Sequence, residues 1–132
     1  MATKRIFISY DYDNDRHYKN LLVAWDKNKD LDFNFYDGSV TVAIDSTDAS
    51  YIKSQIKLKI EGSTHLLCLV GTNAHKNKWI DWEIQTAIQL RKKLIAVKIE
   101  KDNMTPVALL NAGATWALSF NFDAIKKAVD LA

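Results

Sequence analysis

Five segments of the chain carry the short runs of apolar and β-branched residues that predict strands. They are RIFIS at 5–9, FNFYD at 33–37, HLLCLVG at 65–71, LIAVKI at 94–99 and TWALSF at 115–120. The third run has almost no polar position, which is typical of a strand that is buried on both faces. Strands of this kind belong to parallel sheets that are covered by helices.

Between these strands, apolar residues recur at spacings of three and four, as they do along one face of a helix. The pattern predicts helices over residues 14–28, 48–61, 78–92 and 121–131. Residues 38–47 could form a strand or a long loop, and we expect a loop with some extended structure there.

Polar residues and glycines indicate where these helices begin and end. Asp13 or Asn14 is expected to cap the first helix, and Asp48 the second, because short polar side chains accept hydrogen bonds from the first free N–H groups. Gly62 follows the second helix and is expected to end it.

The alternation of strands and helices predicts an α/β fold. We expect a doubly wound, flavodoxin-like sheet of five parallel strands in the order 2-1-3-4-5, with helices on both faces. Residues 1–132 are expected to form a single domain. Ligands of such sheets bind beyond the carboxyl ends of the strands, where the strand order reverses. Here that place corresponds to the loops at residues 10–14 and 71–78.

The composition narrows the class of protein. With 48% hydrophobic and 26% charged residues, the chain is globular. Its 18 basic and 16 acidic residues give a net charge of +2, which favours neither nucleic acid nor an anionic membrane as partner. No segment is long and apolar enough for a signal peptide or a membrane span. The lone Cys68 excludes an internal disulfide and fits a reducing compartment, so we expect a cytoplasmic location.

The loops at the expected ligand edge exclude three common uses of this fold. A receiver domain needs a phospho-accepting aspartate after the third strand, where this chain has GTN at 71–73. A flavodoxin needs a phosphate loop rich in Ser, Thr and Gly after the first strand, where this chain has YDYD at 10–13. The four glycines are scattered, so no dinucleotide-binding G-x-G-x-x-G motif is present.

The segment KWIDWEI at 78–84 places two tryptophans beside an acid at the start of the third helix. One apolar stripe of this helix is expected to face the sheet: Ile80, Ile84, Ala87 and Ile88. A different face is expected to carry the indole and carboxyl groups: Trp79, Trp82, Glu83 and Thr86. By itself this pattern favours structural roles, in which tryptophans anchor the helix and the acid suits its dipole.

Three segments of the chain resemble TIR domains: KRIFISYD at 4–11, LLCLVGTN at 66–73 and WIDWEIQTAI at 79–88. The resemblance covers nearly the whole chain. It points to the TIR-like family of small bacterial and archaeal proteins, which includes the TIR proteins of Thoeris anti-phage defence. The loop DGSVTVAIDSTDAS at 37–50 lacks the Arg-Asp and Pro-Gly that classical TIR domains often carry, which favours this branch over a classical receptor or adaptor.

The resemblance implies an activity and a catalytic residue. Enzymatic TIR domains cleave the nicotinamide–ribose bond of NAD, and some cyclise the ADP-ribose fragment into a signalling nucleotide. Their catalytic glutamate lies on the helix after the third strand, four residues beyond a tryptophan, and Glu83 and Trp79 match that spacing. NAD is therefore the expected substrate, with no cofactor. No pair of histidines has metal-ligand spacing with Cys68, so no metal site is expected.

Besides Glu83, seven residues are candidates for substrate binding: Ser9, Tyr10, Asp11, Ser46, His75, Trp79 and Trp82. Ser9 or Asp11 is expected to bind a ribose hydroxyl, and an indole ring to exclude water and stack on a base. Structural alternatives stand beside these roles, since acids in this position are commonly turn or cap residues and Trp82 suits a packing contact.

Two other functions fit the sequence. A non-catalytic TIR-like interaction module would place Trp79 and Trp82 in a protein interface. An enzyme similar to nucleoside deoxyribosyltransferases would use a glutamate as nucleophile on a similar fold. For the NAD-consuming enzyme, the resemblance implies a homo-oligomer or TIR–TIR assembly and a separate effector protein that receives the signal.

Overall fold

The computed structural model describes residues 4–27, 33–37, 47 and 49–132. Its strands and α-helices follow one another as β1 (Lys4–Ser9), α1 (Tyr12–Lys27), β2 (Phe33–Asp37), α2 (Ala49–Glu61), β3 (His65–Val70), α3 (Lys78–Gln89), β4 (Lys93–Lys98), β5 (Thr115–Ala117) and α4 (Phe122–Leu131). Two short 3-10 helices, Ala74–Lys76 and Val107–Leu109, lie before α3 and before β5.

The strands form one parallel sheet in the order β2-β1-β3-β4-β5. The chain moves from β1 to β2 on one side and then crosses to β3 on the other, so the order reverses between β1 and β3. In the register of these two strands, Ser9 lies opposite Cys68. The expected α/β fold with a parallel sheet is confirmed, whereas the single domain over residues 1–132 stays a prediction.

Alternation along β3 divides the core into two layers, one on each face of the sheet. Leu66, Cys68 and Val70 pack with Phe7 of β1 and with the buried residues of α2 and α3. Leu67 and Leu69 pack on the other face, with α1 and α4. Every residue of β3 is buried, as the near-continuous apolar run predicts.

The start of the first helix differs from the prediction. Neither Asp13 nor Asn14 caps α1, because the helix begins two residues earlier and contains both. The carboxylate of Asp11 accepts hydrogen bonds from Asp13 N at 3.2 Å and Asn14 Nδ2 at 2.6 Å. Asp11 is therefore the capping residue, whose side chain accepts from one free backbone N–H at this end of the helix.

The third helix ends at Gln89, three residues before the predicted end. Arg91 adopts a left-handed backbone conformation with φ of 59°. Its N–H donates to Ile88 O at 3.0 Å, and Lys92 N donates to Ala87 O at 2.9 Å. These two bonds close the helix as in a Schellman motif, which usually has glycine in the left-handed position.

The last strand is also shorter than predicted, since β5 includes only the first three residues of TWALSF. Leu118 is exposed, and Asn121 N donates to Ser119 O at 3.2 Å. The side chain of Asn121 then accepts from Ala124 N at 2.8 Å and caps α4. A turn and a helix cap therefore replace the second half of the predicted strand.

The loop expected at 38–47 lies outside the described residues apart from Thr47, and so does Asp48, the expected cap of α2. Helix α2 ends at Glu61, directly before Gly62, as predicted. Of the helices that the structure describes, none has the length and apolar character needed to cross a membrane.

Candidate active site

The carboxyl ends of β1 and β3 meet where the strand order reverses. Ser9 is the last residue of β1, and its side chain lies on the α2/α3 face together with Cys68. Two loops leave this edge: one leads from β1 into α1, and the other from β3 through the 3-10 helix at 74–76 into α3. The site is built from the residues of these two loops and the helices that follow them.

Helix α3 is fixed at its start by Asn77, a residue that sequence reasoning did not single out. The Asn77 side chain accepts hydrogen bonds from Trp79 N at 2.9 Å and Ile80 N at 3.1 Å. This cap sets the helical phase of the KWIDWEI segment. An asparagine directly before a helix with apolar periodicity is the sequence feature that identifies it.

Glu83 belongs to the buried stripe of α3, not to the separate face on which the sequence predicts it. The Glu83 side chain is 2% exposed, between the fully buried Ile80 and Ile84. Ile88, which was assigned to that stripe, is 42% exposed, so this part of the prediction is wrong. Because an α-helix advances about 100° per residue, position 83 shares a face with positions 80 and 87, while position 88 turns away.

The carboxyl group of Glu83 makes one strong contact across the site. Ser9 Oγ donates a hydrogen bond of 2.7 Å to Glu83 Oε1. The second oxygen, Oε2, is buried and has no hydrogen-bond partner among the described residues. Burial raises the pKa of Glu83 to about 8, and the bond from Ser9 partly opposes this rise. The group is thus largely protonated at neutral pH, and its second oxygen has no partner in either protonation state.

The two tryptophans lie on the same helix as Glu83, in the turn that precedes it. The rings of Trp79 and Trp82 meet edge to face, with centroids 5.8 Å apart. Trp79 is only 8% exposed and belongs to the core layer that contains Glu83's neighbours. Trp82 is partly buried, and Lys53 Nζ of α2 lies 5.7 Å from its ring centroid. Trp82 therefore also contacts the neighbouring helix.

The residues after Ser9 do not face Glu83. Tyr10 packs in the other core layer, with Ile8 of β1, on the α1/α4 face. Asp11 is buried and its carboxylate is occupied as the cap of α1. Of the three candidates at the end of β1, the structure brings only Ser9 into contact with Glu83.

The remaining candidates lie farther along the chain. His75 is in the 3-10 helix that leads into α3, and its Nδ1 atom is buried with no hydrogen-bond partner in the described part of the chain. Ser46 lies outside the described residues. Among residues that the structure does describe, no group of three His, Cys, Asp or Glu side chains is placed to hold a metal ion.

Asp15 is a buried acid of α1 that the sequence does not single out as a site residue. The Asp15 side chain is 4% exposed, and its Oδ2 atom has no hydrogen-bond partner within the described chain. Its carboxyl group lies against Gly71, where a Cβ atom would overlap it. Burial and the nearby charge of Asp11 raise the pKa of Asp15 to about 6. The sequence clue is the spacing of four between Asp11 and Asp15, which places both on one helical face.

Cys68 is fully buried, and its side chain lies on the same face of the sheet as that of Ser9. Burial raises the pKa of its thiol far above the ordinary value, and the negative charges of Glu83 and Asp15 raise it further. A thiol in this environment does not ionise at physiological pH, so Cys68 is a core residue rather than a nucleophile.

Solved structures with the same fold include two 2-deoxyribosyltransferases. The enzyme from Bacillus psychrosaccharolyticus superimposes with a TM-score of 0.61 at 13% identity, over 85% of this chain and 84% of its own. The enzyme from Leishmania mexicana superimposes with a TM-score of 0.53 at 19% identity, over 92% and 93%. At these identities the likeness shows a shared α/β fold. No curated protein sequence matches the chain.

A family model, described as the TIR-like domain of the Thoeris protein ThsB, matches residues 7–104. The matched region includes Ser9 of β1, all of β3, and Glu83 on α3. It covers well over half of the chain and confirms the resemblance seen in the three sequence segments. The protein therefore belongs to the Thoeris ThsB family of TIR-like domains.

Proposed function

We propose that the protein is an NAD-consuming signalling enzyme that cleaves the bond between nicotinamide and ribose, with Glu83 as the catalytic residue. One observation carries this proposal: a buried carboxyl group at the sheet's switch point, bonded to Ser9 through one oxygen and left with its second oxygen unpaired in the described structure. Buried polar atoms normally find partners, so an unpaired oxygen in a ligand-binding position supports a functional role.

The reaction requires an anion beside the sugar. The bond between the ring nitrogen of nicotinamide and C1′ of ribose breaks with both electrons on nitrogen, so nicotinamide leaves as a neutral molecule. Positive charge develops on the ribose, as in other glycosidic cleavages. The ionised Glu83 stabilises that charge. Water, or a nucleophile within the ADP-ribose fragment for cyclisation, then bonds to C1′ and releases a proton.

The positive charge of the substrate favours the ionised form of Glu83. The nicotinamide ring of NAD is cationic, and a nearby positive charge favours the carboxylate form of an acid. Ser9 holds one oxygen of Glu83 in place, and the other oxygen faces the substrate. The buried ring of Trp79, one helical turn before Glu83, excludes water from the reacting centre.

An ADP-ribose-derived signal, linear or cyclic, has an effect only when a protein binds it. We therefore propose a separate effector protein as its partner, assembly of several copies as its active form, and the cytoplasm as its location. Anti-phage defence is the corresponding biological role, since the family takes its description from a Thoeris protein.

A second candidate is base exchange on deoxynucleosides. Two enzymes named 2-deoxyribosyltransferases share the fold over most of this chain, which makes the reaction a reasonable alternative. In that chemistry an ionised Glu83 would bond to C1′ of deoxyribose while the bond from C1′ to the first base breaks and that base leaves. A second base would then bond to C1′ and release the Glu83 carboxylate. The burial of Trp79 speaks against the third possibility, an interaction module with both indole rings on an exposed face.

The experiment that tests the proposal follows nicotinamide release from NAD by chromatography and mass spectrometry. Glu83→Gln should abolish release, with a loss of at least about a hundredfold, because it removes the charge at the reacting centre. Asp81→Asn is the matched control. Asp81 is an acid of the same helix, and its side chain bonds only that of Gln85 in the described structure. Exchange of bases between deoxynucleosides, with no nicotinamide release, would favour the second candidate.

A further inference from the structure

Two buried carboxyl groups, not one, lie at the switch point with unpaired oxygens. Glu83 approaches from α3 on one face of the sheet, and Asp15 approaches from α1 on the other. The two other acids at the start of α1 differ from Asp15. Asp11 is hydrogen-bonded as a cap, and Asp13 is exposed. Asp15 is thus the one acid of these three that combines burial with an unpaired oxygen.

Gly71 makes room for this carboxyl group. Gly71 directly follows β3, and any side chain at this position would overlap the carboxyl group of Asp15. The glycine is not required by a left-handed backbone, because in the described chain only Gly113 among the glycines has positive φ. What requires glycine is the close approach of Asp15 to the end of β3.

The two carboxyl groups reach the switch point from opposite faces of the sheet. Ser9, the partner of Glu83, lies on the α2/α3 face beside Cys68, whereas Asp15 comes from α1 on the other face and lies against Gly71. The ends of β1 and β3 therefore stand between the two acids. Two separate sugars suit this arrangement better than one, and a dinucleotide has two riboses that are separated by a diphosphate.

We propose that Asp15 binds a hydroxyl group of the adenylate ribose of NAD, while Glu83 acts on the nicotinamide ribose. This assignment rests on the proposed function, because it takes NAD as the ligand. The unpaired oxygen of Asp15 needs a hydrogen-bond donor, and a ribose hydroxyl supplies one. A phosphate group has no donor when ionised and is repelled by a carboxylate, so the diphosphate lies between the two acids rather than against Asp15.

Equilibrium binding to a Glu83→Gln background tests the assignment, since that variant holds NAD without consuming it. NAD and ADP-ribose contain the adenylate half, and nicotinamide mononucleotide lacks it. Adding Asp15→Asn should weaken binding of NAD and ADP-ribose by about tenfold or more, because a hydrogen bond to a charged group is lost. Binding of nicotinamide mononucleotide should stay unchanged. Asp13→Asn, at an exposed acid on the same helix turn, should change none of the three affinities.

A second variant moves the same carboxyl group without changing its chemistry. Gly71→Ala displaces Asp15, so it should also weaken NAD and ADP-ribose and spare nicotinamide mononucleotide. Thermal unfolding is recorded for each variant. An Asp15→Asn protein with unchanged NAD affinity would overturn the assignment. So would an equal loss for all ligands together with a lower melting temperature, which would give Asp15 a purely structural role.

Nicotinamide release by the unmodified chain keeps the two proposals apart. Release together with undiminished NAD binding by the Asp15→Asn protein overturns the role of Asp15 alone. Tight, Asp15-dependent NAD binding without release contradicts NAD cleavage and supports Asp15 as a ligand residue. Absence of NAD binding overturns both.

Discussion

The two edges of the parallel sheet differ in how their polar groups are hydrogen-bonded. At the amino edge, Arg5 N donates to Thr64 Oγ1 at 2.9 Å, and Thr64 N donates to Arg5 O at 2.7 Å. The hydroxyl of Thr64 also lies 2.7 Å from His65 Nδ1. At the carboxyl edge, Glu83 and Asp15 each retain a buried oxygen with no partner in the described structure. At the amino edge the strand ends bond to one another, and one buried nitrogen, His65 Nε2, lacks a partner in the described structure. At the carboxyl edge the unpaired atoms are carboxyl oxygens, which the proposed function uses to bind a ligand.

The ionisable groups at both edges are pushed toward their neutral forms. Burial raises the pKa of Glu83 to about 8 and that of Asp15 to about 6. At the other edge, burial lowers the pKa of His65, and the charges of Lys4 and Lys93 lower it further. His65 serves the fold as a neutral ring. The proposed chemistry, however, needs Glu83 in its charged form. Only at the carboxyl edge, therefore, does folding favour one protonation state of a residue while activity requires the other.

The largest expected effect comes from Glu83→Gln. In the parent protein the pKa of folded Glu83 is about 8, which exceeds the ordinary value of 4.5. The contribution of Glu83 to stability is therefore complete below pH 4.5 and is lost as the pH rises through about 8. Glutamine is neutral at every pH, so the variant should lose nicotinamide release yet unfold at the same or a higher temperature than the parent at pH 8. Melting temperatures between pH 5 and 9 check this, and a large drop at every pH would give Glu83 a structural role.

Gly71→Ala should destabilise the fold by about 1–3 kcal/mol, the usual cost of overpacking a buried site, because the new Cβ overlaps the Asp15 carboxyl group. Asp15→Ala in the same chain should recover part of that loss. The matched control is Gly62→Ala, where the new Cβ makes only ordinary contacts of 3.6 and 3.8 Å. Denaturant unfolding of the single and double variants measures the coupling, and additive effects would disprove the contact.

Ser9→Ala should shift the activity toward alkaline pH. The hydrogen bond from Ser9 lowers the pKa of Glu83, so its removal leaves less carboxylate at neutral pH. Ser63→Ala is the control from the amino edge, where Ser63 Oγ donates to Lys59 O at 2.8 Å. Both variants should lose about 1 kcal/mol of stability. Rates of nicotinamide release should respond only to the first, and a pH profile unchanged by Ser9→Ala would refute this role.

The smallest effect is expected at His65. Its folded pKa lies below 6.5, so the unfolded chain binds the proton more readily. The stability contributed by the neutral ring is therefore lost as the pH falls below 6.5. His65→Asn should flatten the melting temperature between pH 5 and 7 without altering nicotinamide release at pH 8. If the melting temperatures of both proteins fall equally between pH 7 and 5, His65 does not cause the loss of stability in acid.

The sequence located the strands well because apolar runs reflect burial directly, and β3 is buried at every position. Helix ends were less predictable, since Asp11, Asp13 and Asn14 are all suitable caps and only the backbone decides among them. Arg91 ended α3 in a conformation that usually favours glycine, which no residue pattern indicates.

The site was predictable in part. The KWIDWEI segment led to Glu83, but its depth of burial depends on the helical phase that Asn77 sets. Alternation with Ile8 would have placed Tyr10 on the other face of the sheet. Asp15 was missed because its distinguishing contact, with Gly71, joins residues far apart in the chain.

The pH dependence of kcat/KM for nicotinamide release tests the central claim most directly, since this ratio reports ionisations of the free enzyme. The account predicts a rate that rises with pH, levels off above about 8, and disappears in Glu83→Gln. Release that is independent of pH between 6 and 9, or that persists in Glu83→Gln, would contradict it.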